Sequence, residues 1–189
     1  MAANEFTTLA RPNRSLPHNI VRGLPTATED TGPLYIKADG NFLEAPASAV
    51  IDSARRLTLA RFRPGAPVLD DLERLYEFLQ VQLGPRDREV FALILLDNHR
   101  KLIDYVELFE GTIDFATVWP RDVVMCALSK CASSVVLVHN HPSGLCEPSI
   151  ADKAVTTRLK QALALIEIKV LDHLIIGTSM TSMAARGMV

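Results

Sequence analysis

The run Val90, Phe91, Ala92, Leu93, Ile94, Leu95 and Leu96 constrains the fold more than any other part of this 189-residue chain. A strand that is apolar on both faces has to be covered from both sides, so helices or further sheet must lie above and below it. Asp97, Asn98, His99 and Arg100 read as a turn, and residues 102–109 alternate well enough to be the returning strand. A shorter strand is expected over 112–119, a short apolar one over 134–139 and a last long one over 168–176.

Helices fall between these strands. Residues 47–62 favour helix, with Val50, Ile51, Ala54 and Leu57 on one face and Arg55, Arg56, Arg61 and Arg63 along it. Pro64, Gly65, Ala66 and Pro67 break it. A second helix follows Asp70 and Asp71, carrying Leu72, Leu75, Tyr76, Leu79 and Leu83 at helical spacing until Gly84 and Pro85 stop it. Pro120 suits the first turn of a third helix running to about Cys131. A fourth runs from Ser149 to about Ile166, its core face marked by Ala151, Val155, Leu159, Ala162 and Ile166. Strands and helices in this order predict a layered α/β domain over 68–189. The helix and linker of 47–67 precede it. Residues 1–46, with five of the eleven prolines, read as an arm ordered only in patches such as 33–36.

A net charge of −2 gives no global attraction to nucleic acid or anionic membrane. Three cysteines, Cys126, Cys131 and Cys146, cannot make a disulfide framework and fit a reducing compartment. No apolar stretch approaches the roughly 18–20 residues of a membrane span. The first ten residues lack a charged segment followed by an apolar run, so the expected location is the cytoplasm.

The chemistry is concentrated between His139 and Asp152. Side chains two apart on a strand share a face, so His139 and His141 offer two imidazoles to one ion. Pro142 and Gly144 turn the chain back and bring the N-terminus of the next helix to the strand end, where α/β folds place ligands. Asp152, in the first helical turn, is kept ionised by the helix dipole and supplies a third candidate ligand. Two histidines and one carboxylate leave a fourth tetrahedral position open, the pattern of a catalytic rather than a structural zinc site. Such a site needs a further carboxylate as base.

H-x-H-x7-S-x2-D, formed by His139, His141, Ser149 and Asp152, resembles the motif of JAMM (MPN-plus) metalloproteases. Pro142, Ser143 and Gly144 after the second histidine, the Pro148–Ser149 pair, Asp172–His173, the string 109–112 and the string 120–123 resemble the RadC-like branch. The resemblance implies a mixed-sheet MPN fold over 68–189, Zn2+ held by His139, His141 and Asp152, and oxyanion stabilisation by Ser149. The family's glutamate heads the first long strand of the domain, which is Glu89 here. It implies a zinc metallopeptidase acting on a peptide or isopeptide bond, with a peptide or protein substrate. Two other classes stay open: a zinc-binding module without turnover, and a DNA repair or mobile-element factor. The last draws on the family's association and the arginines at 55–63. Fuller RadC-like chains carry a helix-hairpin-helix-like region with a Gly-Ile-Gly turn, and no such turn appears in residues 1–66.

Plainer roles compete at several positions. Ser149-x-x-Asp152 also has the form of a capping box. Glu107 and Glu110 are rival carboxylates on a solvated strand edge. Asp172–His173 either orients a ligand or closes a structural hydrogen bond. Cys146 lies close enough in sequence to approach the metal, whereas Cys126 and Cys131 read as small core residues. The arginines at 55–63 read as a solvated helix face pairing with Asp70, Asp71 and Glu73.

Overall fold

The computed structural model describes residues 34–38, 41–111 and 118–189. The chain divides into two compact units, Met1–Ser53 and Ala54–Val189. In the first, β1 (Tyr35–Ala38) and β2 (Asn41–Glu44) pair antiparallel, within the segment read as an arm. Residues 1–33 and 39–40 of that arm lie outside the described residues, as does 112–117 of the strand expected at 112–119. Helix α1 (Ala47–Arg61) starts in the first unit and ends in the second.

The expected α1 stripe is corrected by the structure. Leu57 is 65% exposed, and the buried residue of this helix is Ser53. An apolar stripe reports that a helix can bury a face, not that anything covers it.

The second unit holds α2 (Leu72–Leu83), β3 (Glu89–Leu96), β4 (Leu102–Gly111), α3 (Pro120–Ser129), β5 (Ser134–Asn140), α4 (Ile150–Ala164), β6 (Lys169–Ile176) and β7 (Met180–Ser182). The sheet order is β4-β3-β5-β6-β7. β5 and β6 run parallel, joined by α4, and the other neighbours are antiparallel. It is a mixed sheet of the kind the resemblance implies.

Strand alternation sorts the core into two layers. Val90, Ala92, Ile94 and Leu96 of β3 face Leu75, Phe78, Leu79 and Leu83 of α2, together with Val136 and Val138 of β5. Phe91, Leu93 and Leu95 face the other way, with Val135 and Leu137, onto Val123 of α3 and Val155, Leu159 and Leu163 of α4. Fully burying each such side chain contributes about 1.5–3 kcal/mol. By this alternation His139 continues the row of Val135 and Leu137, on the α4 side. The fold therefore delivers it toward Asp152.

Two helix faces differ from expectation. In α2, Phe78 and Gln82 are buried while Leu72 is 54% exposed. In α4 the buried face is Asp152, Val155, Thr156, Leu159 and Leu163, not the one through Ala151 and Ala162. Asp152 and Thr156 are polar yet buried because each is hydrogen-bonded there. The cysteines need correction too: Cys131 is exposed, at φ 53 just past α3, and Cys126 is only partly buried.

Candidate metal centre

β5 carries His139 to its C-terminal end, and the chain leaves the sheet at His141. The His141 N–H donates to Ile176 O at 2.8 Å, holding the strand geometry one residue past β5. Gly144, at φ 80, then turns the chain. Its carbonyl accepts from Thr178 N at 3.0 Å, which ties the loop to the β6–β7 turn. Gly177 in that turn packs so closely against Gly144 and Cys146 that a Cβ would overlap both.

Ser149 is the N-cap of α4. Its hydroxyl accepts from Asp152 N at 3.1 Å, and the Ser149 N–H donates back to Asp152 Oδ2 at 2.7 Å. The capping box is therefore real, and it also aims Asp152. Oδ2 is held by the cap, where the Ser149 hydroxyl donates to it at 2.6 Å. Oδ1 lies 3.1 Å from His139 Nε2. The structural and functional readings of Ser149-x-x-Asp152 are thus compatible.

His139, His141 and Asp152 each bring a ligand atom into a cluster within 4.8 Å. The two Nε2 atoms are 2.9 Å apart, and His141 Nε2 is 3.5 Å from Asp152 Oδ2. Ligands bound about 2.0–2.1 Å from a tetrahedral ion sit about 3.4 Å from each other. The 2.9 Å between the two nitrogens and the 3.1 Å from His139 Nε2 to Asp152 Oδ1 lie near that value, while the 3.5 Å contact of His141 Nε2 is to the other carboxylate oxygen, Oδ2. The far nitrogen of His141 donates to Leu145 O at 2.7 Å, so in the neutral ring the lone pair is on Nε2, the atom that faces the cluster. The donor set and its convergence fit a metal ion. His139 and Asp152 are buried, whereas the His141 side chain is 14% exposed, so solvent reaches the cluster from the His141 side.

The electrostatics agree. Burial alone would raise the Asp152 carboxyl, but the His139 and His141 imidazoles set against it hold it well below the usual carboxylate range. The hydrogen bond to Asp152 raises His141 against the opposing effect of burial. Burial pushes His173 well below the ordinary histidine value, so that ring is neutral.

Glu89 is the first residue of β3. The antiparallel register pairs Phe91 with His139. Continuing it by two residues sets Glu89 across from His141, on the same face as Phe91. Its charge is felt at His141. Asn140, between the two histidines and 2% exposed, brackets Glu89: Val90 N–H donates to Asn140 Oδ1 at 2.7 Å, and Asn140 Nδ2 donates to Arg88 O at 3.2 Å. Nothing in the sequence pattern marked Asn140 for this. The side-chain amide continues a ladder that the β5 backbone can no longer supply.

Asp172 and His173 separate into different roles. The Asp172 carboxylate accepts from Ala184 N at 2.8 Å and Ser182 Oγ at 2.6 Å, fastening the segment after β7. His173 Nε2 lies 2.8 Å from His139 Nδ1, directly behind the cluster. Thr156, missed in the sequence, lies 2.6 Å from His173 Nδ1.

The rival residues lie elsewhere. Glu107 is paired with Arg55 at 3.3 Å and Arg86 at 2.5 Å. Arg55, with its side chain 22% exposed, is therefore partnered by Glu107 rather than by the acidic start of α2. Asp71 of that group caps α2 through Arg74 N. Cys146 Sγ donates to Ser179 O at 3.1 Å, outside the cluster. Two open grooves meet at Pro142. One, of about 550 Å³, is lined by Asp87, Glu89, Gly111 and Ser143. The other, of about 410 Å³, is lined by Gln80, Gly84, His141 and Gly177. No helix among the described residues is long and apolar enough to cross a membrane.

The family model of the RadC-like JAB domain matches residues 69–188. A UPF0758 protein of Aeromonas hydrophila is 50% identical over 144 residues, covering 76% of this chain and 64% of the relative. One from Saccharophagus degradans is 48% identical over 151 residues, 79% of this chain and 67% of the relative. One from Shewanella denitrificans is 43% identical over 168 residues, 88% of this chain and 74% of the relative. Against the first of these, the chain spans under two-thirds of the relative's length. By the family match, and by the mixed sheet and triad it accompanies, this chain belongs to the RadC-like JAB domain family.

Proposed function

We propose that the domain is a zinc-dependent hydrolase that cleaves a peptide or isopeptide bond. The observation that carries this reading is the convergence of His139 Nε2, His141 Nε2 and an Asp152 carboxylate oxygen at the end of β5. These three residues hold the ion. Zinc, when bound, lowers the pKa of a coordinated water toward about 7 and polarises a carbonyl oxygen.

The chain's own groups do the rest. Glu89, across from His141, takes the proton of the attacking water and passes it to the departing nitrogen. Ser149 turns its hydroxyl from Asp152 Oδ2 to the negative charge developing on the carbonyl oxygen. Two grooves meeting at Pro142 suit an extended chain segment better than a compact small molecule.

A module that holds zinc without turnover is the second reading. The observation favouring it is that the Ser149 hydroxyl is engaged in the helix cap. Peptide and isopeptide substrates, assayed with chelator controls, separate the two readings. Glu89→Gln is expected to keep zinc and to lose about 10²–10⁴-fold in turnover. Full activity in that variant removes Glu89 as base, and silence of the zinc-loaded wild type across substrates favours the binding module.

A further inference from the structure

His173 and Thr156 lie behind the triad, each about 1% exposed. Their hydrogen bonds have a direction set from one end. Thr156 Oγ1 is 2.5 Å from the main-chain carbonyl of Asp152, and a carbonyl can only accept. The threonine's single hydrogen is therefore committed there. Thr156 Oγ1 can then only accept from His173 Nδ1, 2.6 Å away. With its hydrogen on Nδ1, an imidazole buried this fully, whose ring nitrogens meet Thr156 and His139 and no carboxylate, is uncharged and presents a lone pair at Nε2. His139 Nδ1, 2.8 Å from that lone pair, must carry a hydrogen and donate it. What remains on His139 is a bare Nε2, facing Asp152 Oδ1 and His141 Nε2.

We propose that Thr156 and His173 are positioning residues that lock His139 into the tautomer whose bare Nε2 faces the triad and can bind a metal ion there, by a hydrogen-bond chain anchored on the Asp152 carbonyl. The proposal rests on reading the triad as a metal site. Asp152 acts at both ends of it: the carboxylate faces the ion, and the carbonyl sets the direction of the chain that prepares the opposite ligand. Reversing the chain would leave two bare oxygens facing each other between Thr156 and Asp152, and would put the His139 hydrogen on Nε2.

Thr156→Val keeps the side-chain shape and removes the hydroxyl, while Thr156→Ser restores it. Zinc affinity by chelator competition is expected to fall about 10–100-fold in Thr156→Val and to return toward wild type in Thr156→Ser. Imidazole 15N spectra of the metal-free protein at mildly alkaline pH give a second readout. Wild type and Thr156→Ser are expected to show His173 protonated at Nδ1 and bare at Nε2, and Thr156→Val a tautomer mixture. A Thr156→Val protein that is less stable but has wild-type zinc affinity and the wild-type His173 tautomer overturns the proposal, because Thr156 is then only structural. A wild-type His173 carrying its hydrogen on Nε2 overturns it without any variant, so the test survives a misfolded one. If wild type binds no zinc, the metal-site reading fails, and the same spectra still decide the direction of the chain.

Discussion

Asn140 offers a test of how the site is held together. Its replacement by alanine removes the acceptor 2.7 Å from Val90 N and the donor 3.2 Å from Arg88 O. Val90 is 1% exposed, so its amide has no water to turn to. A buried N–H left without a partner costs about 1–3 kcal/mol. Arg88 is exposed, and its carbonyl can be rehydrated, so it adds little. The expected loss is therefore about 1–3 kcal/mol in urea unfolding of the metal-free protein, or about 2–4 °C of Tm per kcal/mol. Glu89 sits between the two released peptide groups, and a displacement of about 1 Å at a reacting group costs on the order of 10²-fold in rate. Turnover is thus expected to fall far more than zinc affinity. Amide exchange at Val90 reports the clip directly and should speed up in the variant. Wild-type stability with unchanged exchange at Val90 would refute this reasoning.

Ser149→Ala should cost about 0.5–2 kcal/mol through loss of the α4 cap, measured by denaturation without metal. A larger drop in turnover than in zinc affinity would add the oxyanion role, and unaltered stability would contradict the cap. The pH dependence separates metal-free from loaded protein. In the metal-free state His141 has a raised pKa, owing chiefly to Asp152. Its contribution is complete below an unfolded value of about 6.5 and is lost as pH rises through the higher folded value. The stability difference between metal-free wild type and His141→Gln should shrink from mildly acid to alkaline pH. Zinc binding runs the other way, because ligation needs unprotonated imidazoles. A wild-type-minus-variant difference flat across neutral pH would exclude the His141–Asp152 pairing.

Much of the fold was readable because its strands are extreme. A run such as 90–96 admits no solvent-facing side, and a covering layer on both faces follows from that alone. His139, His141 and Asp152 were legible for a different reason: their spacing has meaning only at a strand end followed by a turn and a helix. Features that depend on a distant partner were harder to see. The α4 face was assigned from apolar residues, which left Thr156 out, although its bonds to Asp152 and His173 bury it. Asn140 reads as a turn residue until β3 is laid beside it. Arg55 looked solvated because Glu107 is far away in sequence and adjacent in space. β7, three residues long, carries too little alternation to be seen.

Whether His139, His141 and Asp152 share one cation is decided by metal analysis of the purified protein. The expected content is about one zinc per chain, removable by a chelator, and lost in both His139→Ala and Asp152→Ala while the protein stays folded. Zinc retained at full occupancy in those variants, or no zinc taken up by folded wild type, would contradict it.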